Sequence, residues 1–228
     1  MHVEIWSDIA CPWCYVGKRR FEAALAAFEH RDEVEVTWRS FELDPGAPRE
    51  RPGDRAEHLA AKYGSSVEQA RAMQDNLTQV AAGEGLDFRF DIARDGTTFD
   101  AHRLVHLALA HGRQDVLKER LMRAYLTEGK LMSDAQVLER LAVEAGLPAD
   151  EARDLLAGDR YAAEVREDER TAASLGINAV PFFVVDRAFG ASGAQPPEVL
   201  LGLLERGWEA RPKVALVAEG DACGIDGC

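Results

Sequence analysis

The stretch WSDIACPWCYVGKRRFEAALAAF, residues 6–28, decides how the rest of the chain is read. Two cysteines, Cys11 and Cys14, stand where an apolar run gives way to a helical pattern. Ahead of them HVEIWS (2–7) alternates Val3 and Ile5 with polar neighbours, which predicts a strand. Behind them Val16, Phe21, Ala24, Leu25 and Phe28 recur at helical spacing, which predicts a helix from Pro12 to His30. The pair thus lies at a strand-to-helix junction. Unpaired N–H groups and the positive end of the helix dipole favour an anion there. A Cys11 thiolate is such an anion, and its pKa is expected below the free value of about 8.5. Pro12 suits the first helical turn, where its missing N–H costs nothing. Cys14, one turn in, is expected further from solvent. This asymmetry suits thiol–disulfide exchange, with Cys11 attacking a substrate sulfur and Cys14 resolving the mixed disulfide.

Two other readings compete. An inert buried pair fits the junction poorly. A four-cysteine zinc site would need Cys223 and Cys228, which lie far from Cys11 and Cys14, whereas zinc ligand pairs lie closer in sequence. No metal is therefore expected.

Outward from the pair, EVEVTWRSFEL (33–43) alternates again and predicts a second strand. DPGAPRERPGD (44–54) is a Pro- and Gly-dense loop. From Asp54 to Gly176 nearly everything reads as helix. Segments 97–112, 115–129 and 133–146 each end at glycine, as helices do. Ser65 and Glu68 have the spacing of a capping box. LDFRFDI (86–92) reads as a short extended piece, and the charged face EVREDER (164–170) as solvated. AVPFFVVD (179–186) is a continuous apolar run, expected of a strand buried on both faces. A turn with a short strand (187–194) and a helix (196–210) follow. The order is β-α-β, a helical block, then β-β-α. The outer pieces are too small to fold alone, so they are expected to share one sheet. The expected organisation is a discontinuous α/β domain of residues 1–50 and 177–210, an inserted helical subdomain of 54–176, and a tail of 211–228.

Composition bounds the function. The chain has 228 residues, 46% hydrophobic and 29% charged, as an ordinary globular protein does. Its formal charge of −13 argues against nucleic acid, because phosphates need clustered Lys and Arg. No apolar run approaches the roughly 20 residues of a membrane span. MHVEIWSD shows no secretory signal, so a reducing cytoplasm is the expected compartment. Either a monomer or a homodimer is compatible with this composition.

Pro181 opens an apolar strand, where a trans proline is awkward in a central position. A cis Val180–Pro181 bond solves this and frees the Val180 backbone for an extended peptide; an edge-strand proline is the alternative. CPWC after a first strand, a helical insertion, and GINAVPFFVVD before the last hairpin closely resemble the DsbA-like branch of the thioredoxin superfamily. EIWSDIACPWCYVGKRRFE, TTFDAHRLVHLA, AVPFFVVDRAFGASGAQPPEVLL and the closing CGIDGC look like its FrnE subgroup. The resemblance implies a thioredoxin-like fold with a helical insertion. It implies Cys11 as nucleophile, Cys14 as resolving cysteine and a cis Val180–Pro181 bond facing them. The implied activity is that of a protein-disulfide oxidoreductase, acting as oxidase, reductase or isomerase. No bound cofactor is needed; protein thiols are the clients, and thioredoxin or glutathione recycles the pair. Kappa-class glutathione transferases and hydroxychromene-carboxylate isomerases are similar in layout but carry serine at the position of Cys11. A glutathione-dependent transferase or isomerase is the runner-up, and a client-binding module using Trp13 a third class.

The remaining candidates support these. Exposed Trp13 offers an apolar contact for clients. Asp8 either relays protons to Cys14 or closes the turn. His102 and His106 share a helix face; His102 reads as a structural histidine beside the active-site groove. Cys223 and Cys228 read as an auxiliary redox pair or as a local tail disulfide.

Overall fold

A computed structural model describes residues 1–211 of the chain. Strand β1 (His2–Ser7) leads into helix α1 (Pro12–Ala27), and a short 3-10 turn (Arg31–Glu33) leads into β2 (Glu35–Ser40). Helices α2 (Arg55–Tyr63), α3 (Val67–Gly83), α4 (Phe99–Ala110), α5 (Gln114–Leu126), α6 (Ala135–Glu144), α7 (Ala149–Ala157) and α8 (Ala162–Ser174) follow. The chain closes with β3 (Phe182–Val185), β4 (Phe189–Ser192) and α9 (Pro197–Glu209). The sheet order is β2-β1-β3-β4, with β1 parallel to β2 and antiparallel to β3. This is an α/β arrangement in which a helical insertion separates β2 from β3.

Side-chain alternation in β1 sets the layers. Val3 and Ile5 are fully buried in the main apolar cluster with Val16, Phe21, Phe183 and Leu204. Trp6 points to the other face, against Ala172, Ile177 and Val184, and its indole donates to the Asp168 carbonyl at 2.9 Å. The same main cluster runs on through Leu104, Leu117, Leu121, Tyr125 and Leu138, so sheet and insertion share one core. No helix among the described residues is long and apolar enough to cross a membrane.

Strand β2 is a sheet edge, which exposes unpaired backbone groups unless something covers them. The insertion supplies the cover. The Gln114 amide brackets Trp38, accepting from its N–H at 2.8 Å and donating to its carbonyl at 2.9 Å. One residue pair further on, the Asp168 carboxylate accepts from the Ser40 N–H at 2.9 Å. Beyond Ser40 the chain leaves the sheet, because the Leu43 N–H turns to the Asp8 carboxylate at 2.8 Å. The expected strand over 33–43 is shortened accordingly.

Other local expectations are corrected. The capping box lies at Ser66 and Gln69, one residue beyond Ser65 and Glu68. Gly64, at φ 64°, ends α2, and the Ser65 N–H is consumed there on the Ala60 carbonyl at 3.0 Å. Residues 86–92 form no strand; Phe88 is buried and Arg89 N–H bonds the Leu126 carbonyl at 2.8 Å, so the segment packs on α5 instead. The EVREDER face is not wholly solvated: Asp168 is buried, holding Ser40, Arg39 and His106. Helix α1 ends at Ala27 rather than His30, as Phe28 turns extended to pack edge-on against Trp208.

Gln114→Met should leave the Trp38 N–H and carbonyl unpaired in a buried position. The expected loss is about 2–4 kcal/mol in urea unfolding. An unchanged midpoint would mean that the amide clamp does not hold the edge.

Candidate active site

The strand-to-helix junction builds the site. Cys11 occupies the N-cap of α1 with extended backbone angles, φ −87° and ψ 110°, and Pro12 begins the helix. The Cys14 N–H donates to the Cys11 sulfur at 3.3 Å, a cap made by sulfur where serine or aspartate usually serves. From the other side the Cys11 thiol faces the Val180 carbonyl at 3.7 Å. The Val180–Pro181 peptide is cis. A side chain at Gly17 would set its Cβ 2.8 Å from Pro181, so only glycine lets α1 approach the Pro181 loop this closely.

Cys11 and Cys14 are both free thiols here. Cys11 keeps 4% of its surface exposed and Cys14 none. Burial pushes the Cys14 thiol well up, and the neighbouring Cys11 sulfur adds to this. The Asp8 N–H and the Lys118 charge pull the other way. Trp13, between the cysteines, is 41% exposed, a large aromatic surface beside the sulfur.

Beneath the pair lies a polar floor. The buried Asp8 carboxylate accepts from Leu43 N–H (2.8 Å), Thr98 hydroxyl (2.8 Å) and Ala10 N–H (3.3 Å), and meets His102 Nε2 at 3.3 Å. Burial alone would raise its pKa; these hydrogen bonds, His102 first, hold it below the usual carboxylate value. A carboxylate so occupied is a poor proton acceptor. Burial holds His102 below its ordinary pKa, while the hydrogen bond to Asp8 pulls the other way. His106 serves another group, the Asp168 carboxylate at 3.0 Å. The two histidines thus share a helix face without sharing a ligand, and no group of three or more metal-binding side chains gathers among the described residues. Cys223 and Cys228 lie outside the described residues.

Sequence reasoning passed over three contributors. Thr98 completes the Asp8 cage. Lys118 on α5 is fully buried, and its ammonium donates to the Ser7 carbonyl at 3.1 Å. Its signal is visible in hindsight, since Met122 and Tyr125, one and two turns on, are core residues. Glu42 is buried beside Asp8 and pairs with Arg166 at 2.5 Å. Burial, with the Glu169 and Asp8 charges, raises its pKa to about 7 against the pull of Arg166.

A family model described as the DSBA-like thioredoxin domain matches residues 2–205. The chain belongs to this DSBA-like family. Its fold is accordingly the thioredoxin-like one, with the helical insertion between β2 and β3. Among solved structures, this DSBA-like chain is similar to a probable DsbA oxidoreductase from Streptomyces coelicolor. The two are 53% identical with a TM-score of 0.90, over 100% of this chain and 98% of that one. It shares its fold with the cytosolic disulfide reductase DsbM from Pseudomonas aeruginosa, at 19% identity and a TM-score of 0.66 over 92% and 100% of the two chains. It is also 26% identical over 187 residues to the uncharacterized protein YwbO from Bacillus subtilis, covering 81% of this chain and 86% of that one.

Glu42 provides a pH test of the DSBA-like site. Its folded pKa lies above the unfolded value, so the folded state favours the protonated form. The stability this gives is present at low pH and is lost as pH rises from about 4.5 to about 7. Glu42→Gln should therefore gain on the parent protein in melting temperature between pH 5 and pH 8. A difference constant across that range would contradict the assignment.

Proposed function

We propose that this protein is a thiol–disulfide oxidoreductase acting on proteins through the Cys11/Cys14 pair. One observation carries the reading. The Cys11 sulfur caps α1 between the Cys14 N–H and the Val180 carbonyl, with the fully buried Cys14 behind it. In this reading Cys11 attacks a client disulfide, and Cys14 then attacks the Cys11 sulfur of the mixed disulfide and releases the client thiol. The same steps run backward oxidise a client dithiol, and the redox poise of the compartment sets the direction. Val180 and Pro181 form the edge on which an extended client segment pairs. Trp13 supplies the apolar contact, and Asp8, Pro12 and His102 support the turn.

The reading places the chain in the FrnE subgroup and in the cytoplasm. Only four cysteines occur in 228 residues, in two close pairs, so the chain has no dense disulfide framework to form in an oxidising compartment. No bound cofactor takes part, and thioredoxin or glutathione returns the pair to its starting state. Cys223 and Cys228 act as the auxiliary exchange pair.

Trapping tests the reading. Cys14→Ser protein mixed with insulin should accumulate a covalent adduct through Cys11 that dithiothreitol releases, and Cys11→Ser protein should form none. If no adduct forms and Cys14→Ser protein conjugates glutathione to a small electrophile, a glutathione transferase takes its place.

A further inference from the structure

We propose that the cleft between the Leu43–Asp44 segment and α2 is a docking subsite for the client chain beside its reactive cysteine, and that Lys62 selects an acidic client residue there. The proposal rests on the thiol–disulfide reading above and adds a client specificity to it.

The cleft has a volume of about 470 Å³ and is lined by Leu43, Asp44, Arg51, His58, Ala61 and Lys62. It adjoins the nucleophile through one residue. One oxygen of the Asp8 carboxylate accepts from the Leu43 N–H at 2.8 Å, and the other accepts at 3.3 Å from the N–H of Ala10, which immediately precedes Cys11. The Asp8 carbonyl accepts from the Cys11 N–H at 3.4 Å. A wall of the cleft and the turn that carries the attacking sulfur thus hang on the same residue. Apolar surface is on offer beside them. Leu43 is 40% exposed, and Tyr63, which follows Lys62, is 64% exposed. Large apolar side chains left open next to a reactive group suit a partner's side chains.

Electrostatics choose the occupant. The basic run Lys18, Arg19 and Arg20 lies closest to the cysteines in sequence, but carboxylates take all three. Asp115 and Glu119 hold Lys18 at 3.1 Å and 3.2 Å, Glu22 holds Arg19 at 2.8 Å and Glu84 holds Arg20 at 2.6 Å. Around the cleft, Arg51 pairs with Asp44 at 2.8 Å, Arg55 with Asp95, and Arg71 with Asp54 at 2.8 Å. His58 spends one ring nitrogen on Asp95 at 3.3 Å and the other on the Pro52 carbonyl at 3.2 Å.

Lys62 differs. It is exposed, and among the described residues no carboxylate pairs with it. Its ammonium donates to the Leu43 carbonyl at 3.4 Å, and the Tyr63 ring lies 5.9 Å away. In a chain of net charge −13 such a cation is a local exception. The field of the whole chain favours basic clients, and Lys62 opposes that preference at one position, which fixes the register of the bound segment. A client Asp or Glu takes this ammonium without breaking an ion pair, whereas at Arg51 it would have to displace Asp44.

Peptides with a single cysteine activated as its thionitrobenzoate disulfide test this, in protein carrying Cys14→Ser, Cys223→Ser and Cys228→Ser. The Cys11 thiolate attacks the peptide sulfur. The Cys11–peptide bond forms, the old disulfide breaks, and thionitrobenzoate leaves with its electron pair. The peptides differ only in a Glu or a Lys, placed in turn at each position flanking the cysteine. At the position that meets the cleft, Lys62→Glu should lower the Glu-to-Lys rate ratio about fivefold at low salt, and Lys62→Gln should lower it by less. Arg140→Glu, the same charge change on the exposed face of α6, should not move the ratio. A ratio unmoved by Lys62→Glu at every position, or moved equally by Arg140→Glu, overturns the proposal. Slower reaction of Lys62→Glu protein with oxidised glutathione, with every peptide ratio unmoved, also overturns it and gives the cleft to that tripeptide. If Cys11 forms no adduct with any peptide in protein that retains Lys62, the oxidoreductase reading fails instead.

Discussion

The Cys14 N–H reaches back to the Cys11 sulfur across 3.3 Å, at the point where β1 stops and α1 begins. A helix start leaves N–H groups without partners, and here a sulfur takes one of them. The contact ties the Cys11 sulfur to the start of the helix. The β1 core residues, the Gly17 approach to Pro181 and the Val180 carbonyl all serve to hold that sulfur in place.

The helical insertion does more than enlarge the core. Gln114 and Asp168 seal the edge of β2. Thr98 and His102 from α4 lock Asp8, which in turn anchors Leu43 where the chain departs from the sheet. Lys118 from α5 grips the Ser7 carbonyl. The polar floor under the cysteines is thus assembled from distant parts of the chain, and the turn carrying Cys11 depends on the insertion for its shape.

Much of this was legible in the residues. The alternation of Val3 and Ile5, the apolar run at 179–186 and the helical spacing after Pro12 each follow from local chemistry, and β1, β3 and α1 lie within those patterns, β3 and α1 shorter than the patterns themselves. CPWC at the junction could be located because its position depends on two neighbouring elements only. What escaped depends on tertiary partners. Ser65 and Ser66 both offer a hydroxyl three residues before a Glu or Gln, and only the end of α2 decides between them. Phe88 and Phe90 alternate as a strand would, but pack on a helix with no strand to pair with. Asp168 and Lys118 carry charges that a surface helix would solvate, and their burial comes from the sheet edge and the Ser7 carbonyl.

The central claim is that Cys11 and Cys14 form one reversible two-electron couple. Equilibration in glutathione buffers, read by mass spectrometry on protein with Cys223→Ser and Cys228→Ser, tests it most directly. The account predicts a single transition between a dithiol and a Cys11–Cys14 disulfide with a definite midpoint potential. A Cys11–glutathione adduct that persists, with no intramolecular disulfide at any buffer ratio, would contradict it.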